Sequence, residues 1–210
     1  MNVLCYGDSN TWGYSPADGS RFPENIRWPG VLRRCLGEGY RIIEEGLNGR
    51  TIGNFLPGAS PLNGLRYLEL LIKRFQQKDN PDVVILYLGI NDLFQGGDVA
   101  VDWIARQLRY AVDLLLDDEF FPRTNYPDVI VLSPLPVNGD IEYAGACQNE
   151  IESSRNFYKA VSEAMKKTPA VVIDTGSIIQ ASSLDGVHID GESHVKLGRA
   201  LCRILREKRE

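Results

Sequence analysis

Five short apolar runs alternate along the chain with stretches in which apolar residues return every three to four positions. The runs are Val3–Tyr6, Arg41–Glu44, Val83–Leu88, Val129–Leu132 and Val171–Ile173, all of strand length. Between the first two, Trp28, Val31, Leu32, Cys35 and Leu36 fall on one helical face, and Gly37 and Gly39 follow as a stop. Leu65, Leu68, Leu71, Ile72 and Phe75 predict a second helix. Val101, Ile104, Leu108, Ala111, Val112 and Leu115 predict a third, with Asp98 as its N-cap. A fourth is expected over residues 148–167 on Ile151, Tyr158, Val161 and Met165, and a last over residues 192–208. Strands apolar on both faces need cover on both. The strand–helix alternation therefore predicts an α/β three-layer sandwich, with a five-stranded parallel sheet in flavodoxin-like order. No stretch has the composition of a linker, so residues 1–210 are expected to form one domain.

Sheets of this kind bind ligands beyond the carboxyl ends of their strands. Gly7-Asp8-Ser9-Asn10-Thr11 follows the first strand and Gly46-Leu47-Asn48-Gly49-Arg50-Thr51 the second. Gly89-Ile90-Asn91-Asp92 follows the third, and Asp185-Gly186-Val187-His188 comes after the fifth. These residue types suit one reaction. A serine hydroxyl attacks a carbonyl only if a base takes its proton, and neutral imidazole does so near pH 7. The imidazole in turn needs a carboxylate to fix its tautomer and steady its cation. Ser9 is the candidate nucleophile, His188 the base and Asp185, three residues earlier, its partner. A tetrahedral oxyanion needs fixed donors, and the N–H groups of Ser9 and Gly49 with the Asn91 amide are the candidates. At Gly49 the missing Cβ is expected to let the backbone come close to the reacting group.

Those four blocks, in that order and spanning nearly the whole chain, resemble the SGNH hydrolases, also called GDSL esterases/lipases. Three further stretches resemble the arylesterase/acyltransferase branch: residues 7–13, Arg27-Trp28-Pro29-Gly30-Val31-Leu32, and residues 44–51. Asn63-Gly64-Leu65-Arg66-Tyr67-Leu68 matches a later block of the same branch. Where that branch often has Asp-Asp-Pro, this chain has Ile52-Gly53-Asn54-Phe55-Leu56-Pro57. The resemblance implies an esterase that acylates Ser9, passes the acyl group to water or an alcohol, and admits a homo-oligomer.

Asp8 and Asp92 are expected to brace their loops, Arg50 to anchor a loop, and His194 to be a surface or packing residue on the last helix. Trp12, Ile90, Leu93, Phe94 and Leu135 flank the site loops and are candidates to line an acyl pocket.

Charge narrows the partners. The net charge is −5 with both signs interspersed, and only residues 203–209 are basic, so no nucleic-acid partner is expected. Two histidines and four scattered cysteines give no metal-ligand spacing, hence no metal and no cofactor. Cys5 and Cys35 are read as small core residues, in a protein that needs no disulfide. The longest apolar run, Val83–Leu88, is too short to span a bilayer, and no leader precedes the first strand, so a cytoplasmic protein with no membrane partner is expected. The expected partner is a small-molecule ester. A carbohydrate O-deacetylase or a thioesterase would use the same groups. A non-catalytic ligand-binding module on the same fold is the alternative of another class. No G-x-S-x-G elbow supports an α/β-hydrolase, and no phosphate-binding loop supports a nucleotide site.

Overall fold

Strand β1 (Asn2–Gly7) lies at the centre of the sheet because its side chains are apolar in both directions. Val3 and Cys5 point to one face, Leu4 and Tyr6 to the other. In the computed structural model, which describes residues 1–58, 60–75, 80–95, 99–121, 126–139 and 148–207, β1 is flanked by β2 (Arg41–Gly46) and β3 (Val83–Tyr87). β4 (Asp128–Leu132) and β5 (Val171–Ile173) complete the order β2-β1-β3-β4-β5, all parallel, as the sequence predicts.

The helices divide between the two faces. α2 (Trp28–Leu36) and α8 (Gly191–Glu207) cover the face of Val3, Cys5, Ile85, Tyr87, Ile130 and Leu132. α3 (Gly64–Phe75), α5 (Val101–Leu115) and α7 (Phe157–Met165) cover that of Leu4, Tyr6, Val84, Leu86, Val129 and Val131. Two one-turn helices, α1 (Ser9–Trp12) and α4 (Ile90–Leu93), sit directly after β1 and β3.

The expected fourth helix is two. α6 (Gln148–Ser154) and α7 part at Arg155 and Asn156, whose N–H groups turn back to the carbonyls of Glu152 and Ser153. Ser154 explains the break: its hydroxyl donates to the Ile151 carbonyl and accepts the Val137 N–H, which draws that turn towards another segment. Asp98 lies outside the described residues, and Ala100 occupies the residue before α5.

Cys5 is buried as expected, but Cys35 is not a simple core residue. It forms a disulfide with Cys202, joining α2 to α8 across 167 residues. Among the described residues, no helix is long and apolar enough to cross a membrane.

Candidate active site

β1 and β3 are neighbours while β2 returns to the other side of β1, so the carboxyl ends of β1 and β3 diverge into a crevice. Ser9 starts α1 at this point. Gly7 allows the tight departure: a Cβ there would overlap the Thr11 side chain at 2.0 Å. The Asp8 carboxylate caps the turn by accepting the Asn10 N–H at 2.9 Å. The Ser9 carbonyl is held by the N–H groups of Gly13 and Tyr14. The nucleophile candidate thus sits on a fixed turn, 4% exposed.

From the far end of the chain, the loop before α8 brings in its partners. His188 Nε2 lies 2.9 Å from Ser9 Oγ and Nδ1 lies 2.6 Å from Asp185 Oδ2. The other oxygen, Asp185 Oδ1, accepts the N–H groups of Val187 and His188. One carboxylate therefore shapes the loop and orients the ring. Burial opposes ionisation of Asp185, yet its bonds to the His188 ring and to the two N–H groups outweigh it and hold the carboxyl below the usual range. The side chains of His188 and Asp185 remain 14% and 19% exposed. Tyr14 stacks on the imidazole with ring centroids 4.3 Å apart.

The candidate oxyanion donors arrive on two further loops. Gly49 has φ +76, a left-handed conformation that glycine adopts without strain. Added at Gly49, a Cβ would touch only Leu62, at 3.9 Å, so conformation rather than crowding within the protein calls for glycine. Asn91, in α4, donates Nδ2–H to the Arg50 carbonyl at 3.0 Å. An amide nitrogen carries two hydrogens, so this bond aims Asn91 and leaves its second donor to a ligand.

The bracing residues behave as expected. Asp92 is buried and accepts the N–H groups of Ile52 and Gly53, each at 2.8 Å, tying the second site loop to α4. Burial raises its pKa to about 6 against the pull of those bonds. Burial likewise pushes Asp8 up to about 7. Arg50 is buried over Tyr6 and Tyr67 and donates to the carbonyls of Pro61, Gly7 and Glu45.

Of the five candidate pocket residues, Ile90 and Leu93 are packed in one core and Leu135 in the other. Trp12 and Phe94 are half-buried and keep accessible surface. Several branch motif residues also turn out to hold the scaffold. Arg27 clasps Glu44 with two bonds, and Asn63 binds both peptide groups of Leu56 and the Gly58 carbonyl. Two residues that touch the His188 loop, Asn10 and Tyr14, carry no role in the sequence reading: Asn10 stands in the block that resembles the arylesterase/acyltransferase branch, and Tyr14 follows that block directly.

The profile of the GDSL-like lipase/acylhydrolase family matches residues 5–195. A multidomain esterase of Ruminococcus flavefaciens is 29% identical over 161 residues, 73% of this chain and 19% of that protein, so the chain spans about a fifth of its length. A solved carbohydrate acetylesterase from Sinorhizobium meliloti is 30% identical with a TM-score of 0.86, covering 99% of both chains. The inhibitor-bound aryl esterase of M. smegmatis is 28% identical with a TM-score of 0.85, again over 99% of both. With the motif blocks in order, the fold of these esterases and a family match over most of its length, the chain belongs to the GDSL-like lipase/acylhydrolase family, the SGNH serine ester hydrolases.

Proposed function

We propose that the chain hydrolyses short-chain carboxylic esters through an acyl-enzyme on Ser9. The observation that carries this is the unbroken relay from Ser9 Oγ to His188 and on to Asp185, at 2.9 and 2.6 Å. His188 Nε2 takes the serine proton as Oγ bonds to the ester carbonyl carbon. The N–H groups of Ser9 and Gly49 and the second Asn91 hydrogen receive the resulting oxyanion. The C–O bond then breaks, with His188 returning the proton to the departing alcohol. Water, deprotonated by the same imidazole, releases the acid. An alcohol in place of water gives acyl transfer.

Acetylated carbohydrate is a second reading favoured by two observations. One structural neighbour over the full chain is a carbohydrate acetylesterase. In addition, of the five candidate pocket residues only Trp12 and Phe94 are half-buried while Ile90, Leu93 and Leu135 are nearly covered, which makes a short apolar wall for a long acyl chain. Each buried methylene contributes about 0.8 kcal/mol where such a wall exists. Here kcat/KM is expected to fall, not rise, from acetyl to octanoyl p-nitrophenyl esters. A rising series would refute the short-chain assignment. Fluorophosphonate labelling mapped to Ser9, with a burst of one acyl equivalent, tests the mechanism, while release of acetate from acetylated sugars tests the second reading. The cytoplasmic location expected from sequence stands against the Cys35–Cys202 bond, because reducing compartments keep such pairs as thiols. Thiol counting on freshly lysed cells decides between them.

A further inference from the structure

The four-letter motif that names the family is Gly-Asp-Ser-Leu, and this chain has Asn10 where that motif has leucine. Asn10 is buried, and both ends of its amide reach the loop that carries His188. Oδ1 accepts the Ile189 N–H at 3.0 Å, and Nδ2 donates to the Val187 carbonyl at 3.4 Å. The two bonds bracket His188. Much of the loop's remaining bonding closes on itself: Val187 and His188 bind Asp185, Gly186 N–H meets the Ser182 carbonyl, and Ser182 N–H meets that of His188. Tyr14 stacks on the imidazole, but a stacked ring does not fix the loop along the chain direction. Asn10 is the residue after the nucleophile, and its own N–H is held by Asp8. A leucine would fill similar space while leaving the Ile189 N–H and the Val187 carbonyl without these partners, which buried backbone groups seldom tolerate.

We propose that Asn10 is a positioning residue: its amide fastens the 187–189 backbone to the Ser9 turn and thereby sets the distance and approach of His188 Nε2 to Ser9 Oγ. This rests on the roles of Ser9 and His188 proposed above. The separation matters because misplacing reacting groups by about 1 Å costs on the order of 10²-fold in rate.

The test compares wild type, Asn10→Leu and Asn10→Asp. Leucine removes both bonds, whereas aspartate keeps an acceptor for Ile189, the shorter of the two. Four quantities are read: steady-state turnover of p-nitrophenyl acetate, the rate of Ser9 labelling by a fluorophosphonate, the downfield proton resonance of the His188–Asp185 bond, and the melting transition. Asn10→Leu is expected to melt cooperatively and lose about 10- to 100-fold in kcat and in labelling rate, with KM within about twofold. Its downfield resonance should shift or broaden, and Asn10→Asp should recover part of the loss. Folded Asn10→Leu with wild-type labelling and an unmoved resonance would overturn the inference. If Asn10→Leu does not fold, Asn10→Asp decides: a lowered kcat with unchanged KM and a moved resonance supports the role, and wild-type values for all three overturn it. Wild-type protein labelled at Ser9 but unaffected by these substitutions defeats the Asn10 role alone. Wild-type protein that is not labelled at Ser9 defeats the underlying mechanism.

Discussion

At the scale of single residues, the proposed acyl-enzyme reaction needs a proton acceptor beside the serine, and His188 Nε2 stands within bonding distance of Ser9 Oγ. Ser9→Ala should therefore fold normally and lose at least about 10³-fold in kcat, as single changes in such triads do. A thermal melt alongside the burst assay checks both halves of that statement. Asn91→Ala removes a donor aimed by the Arg50 carbonyl and should cost roughly 10²–10³ in kcat with a smaller change in KM. A loss confined to KM would make Asn91 a ground-state binder instead. The meeting of Ser9, Asp185 and His188 was legible in the sequence because the proposed chemistry demands those residue types at spacings a loop can satisfy. Asn10 was not, since an amide has no signature of its own and acquires a role only when backbone 177 residues away folds beside it. For Ile90, Leu93 and Leu135, closeness to the site along the chain does not say how much of the side chain packing leaves open, and each is nearly covered.

Elements were read well where periodicity had room to speak. The five strands and the helices α2, α3, α5 and α8 match the apolar pattern, while the four residues of α1 or of α4 are too few to show a period. The split between α6 and α7 was hidden because the apolar positions continue across it and the cause, Ser154, looks like any helix serine. Pairing between helices gives a testable electrostatic effect. His194 of α8 is fully buried, and its Nδ1 accepts the Trp28 N–H, which has no acceptor within α2. The neutral ring thus closes the start of α2 from outside, with its proton on Nε2. Burial is the main cause that lowers the His194 pKa from 6.5 to about 3; neighbouring Asp190 raises it in part, and His188 lowers it further. Between those two values the unfolded chain binds a proton that the folded one refuses. Stability from this group is therefore complete above about pH 6.5 and lost as pH falls towards 3, with a slope of at most about 1.4 kcal/mol per pH unit. His194→Leu should be less stable than wild type at pH 7 by about 1–3 kcal/mol, because the Trp28 N–H is orphaned. The gap should narrow at pH 4. Urea unfolding at both pH values measures it, and a gap that stayed constant would mean His194 is not buried in neutral form.

At the scale of the whole molecule, strand order and the end of the sheet that carries the site followed from handed crossovers between parallel strands. The bond between Cys35 and Cys202 did not, because it depends on how two helices lie against each other rather than on any local pattern. For a loop this long, reduction or Cys35→Ser should lower stability by up to on the order of 5 kcal/mol, read as a drop in melting temperature with dithiothreitol. The same bond closes part of the chain into a covalent ring. Residues 35–202 form the ring, which contains Gly49, Asn91, Asp185 and His188, whereas Ser9 lies outside it, before Cys35. A single protease cut within the ring would leave one covalent species of unchanged mass apart from the added water, separable into two pieces only after reduction. A cut between Ser9 and Cys35 would instead leave Ser9 with no covalent link to His188, held by the sheet pairing of β1, by the Asn10 side chain and by the Ser9–His188 bond. Nicked protein that keeps its esterase activity without dithiothreitol and loses it on reduction would show that the ring, and not merely the packed interior, preserves the site after cleavage.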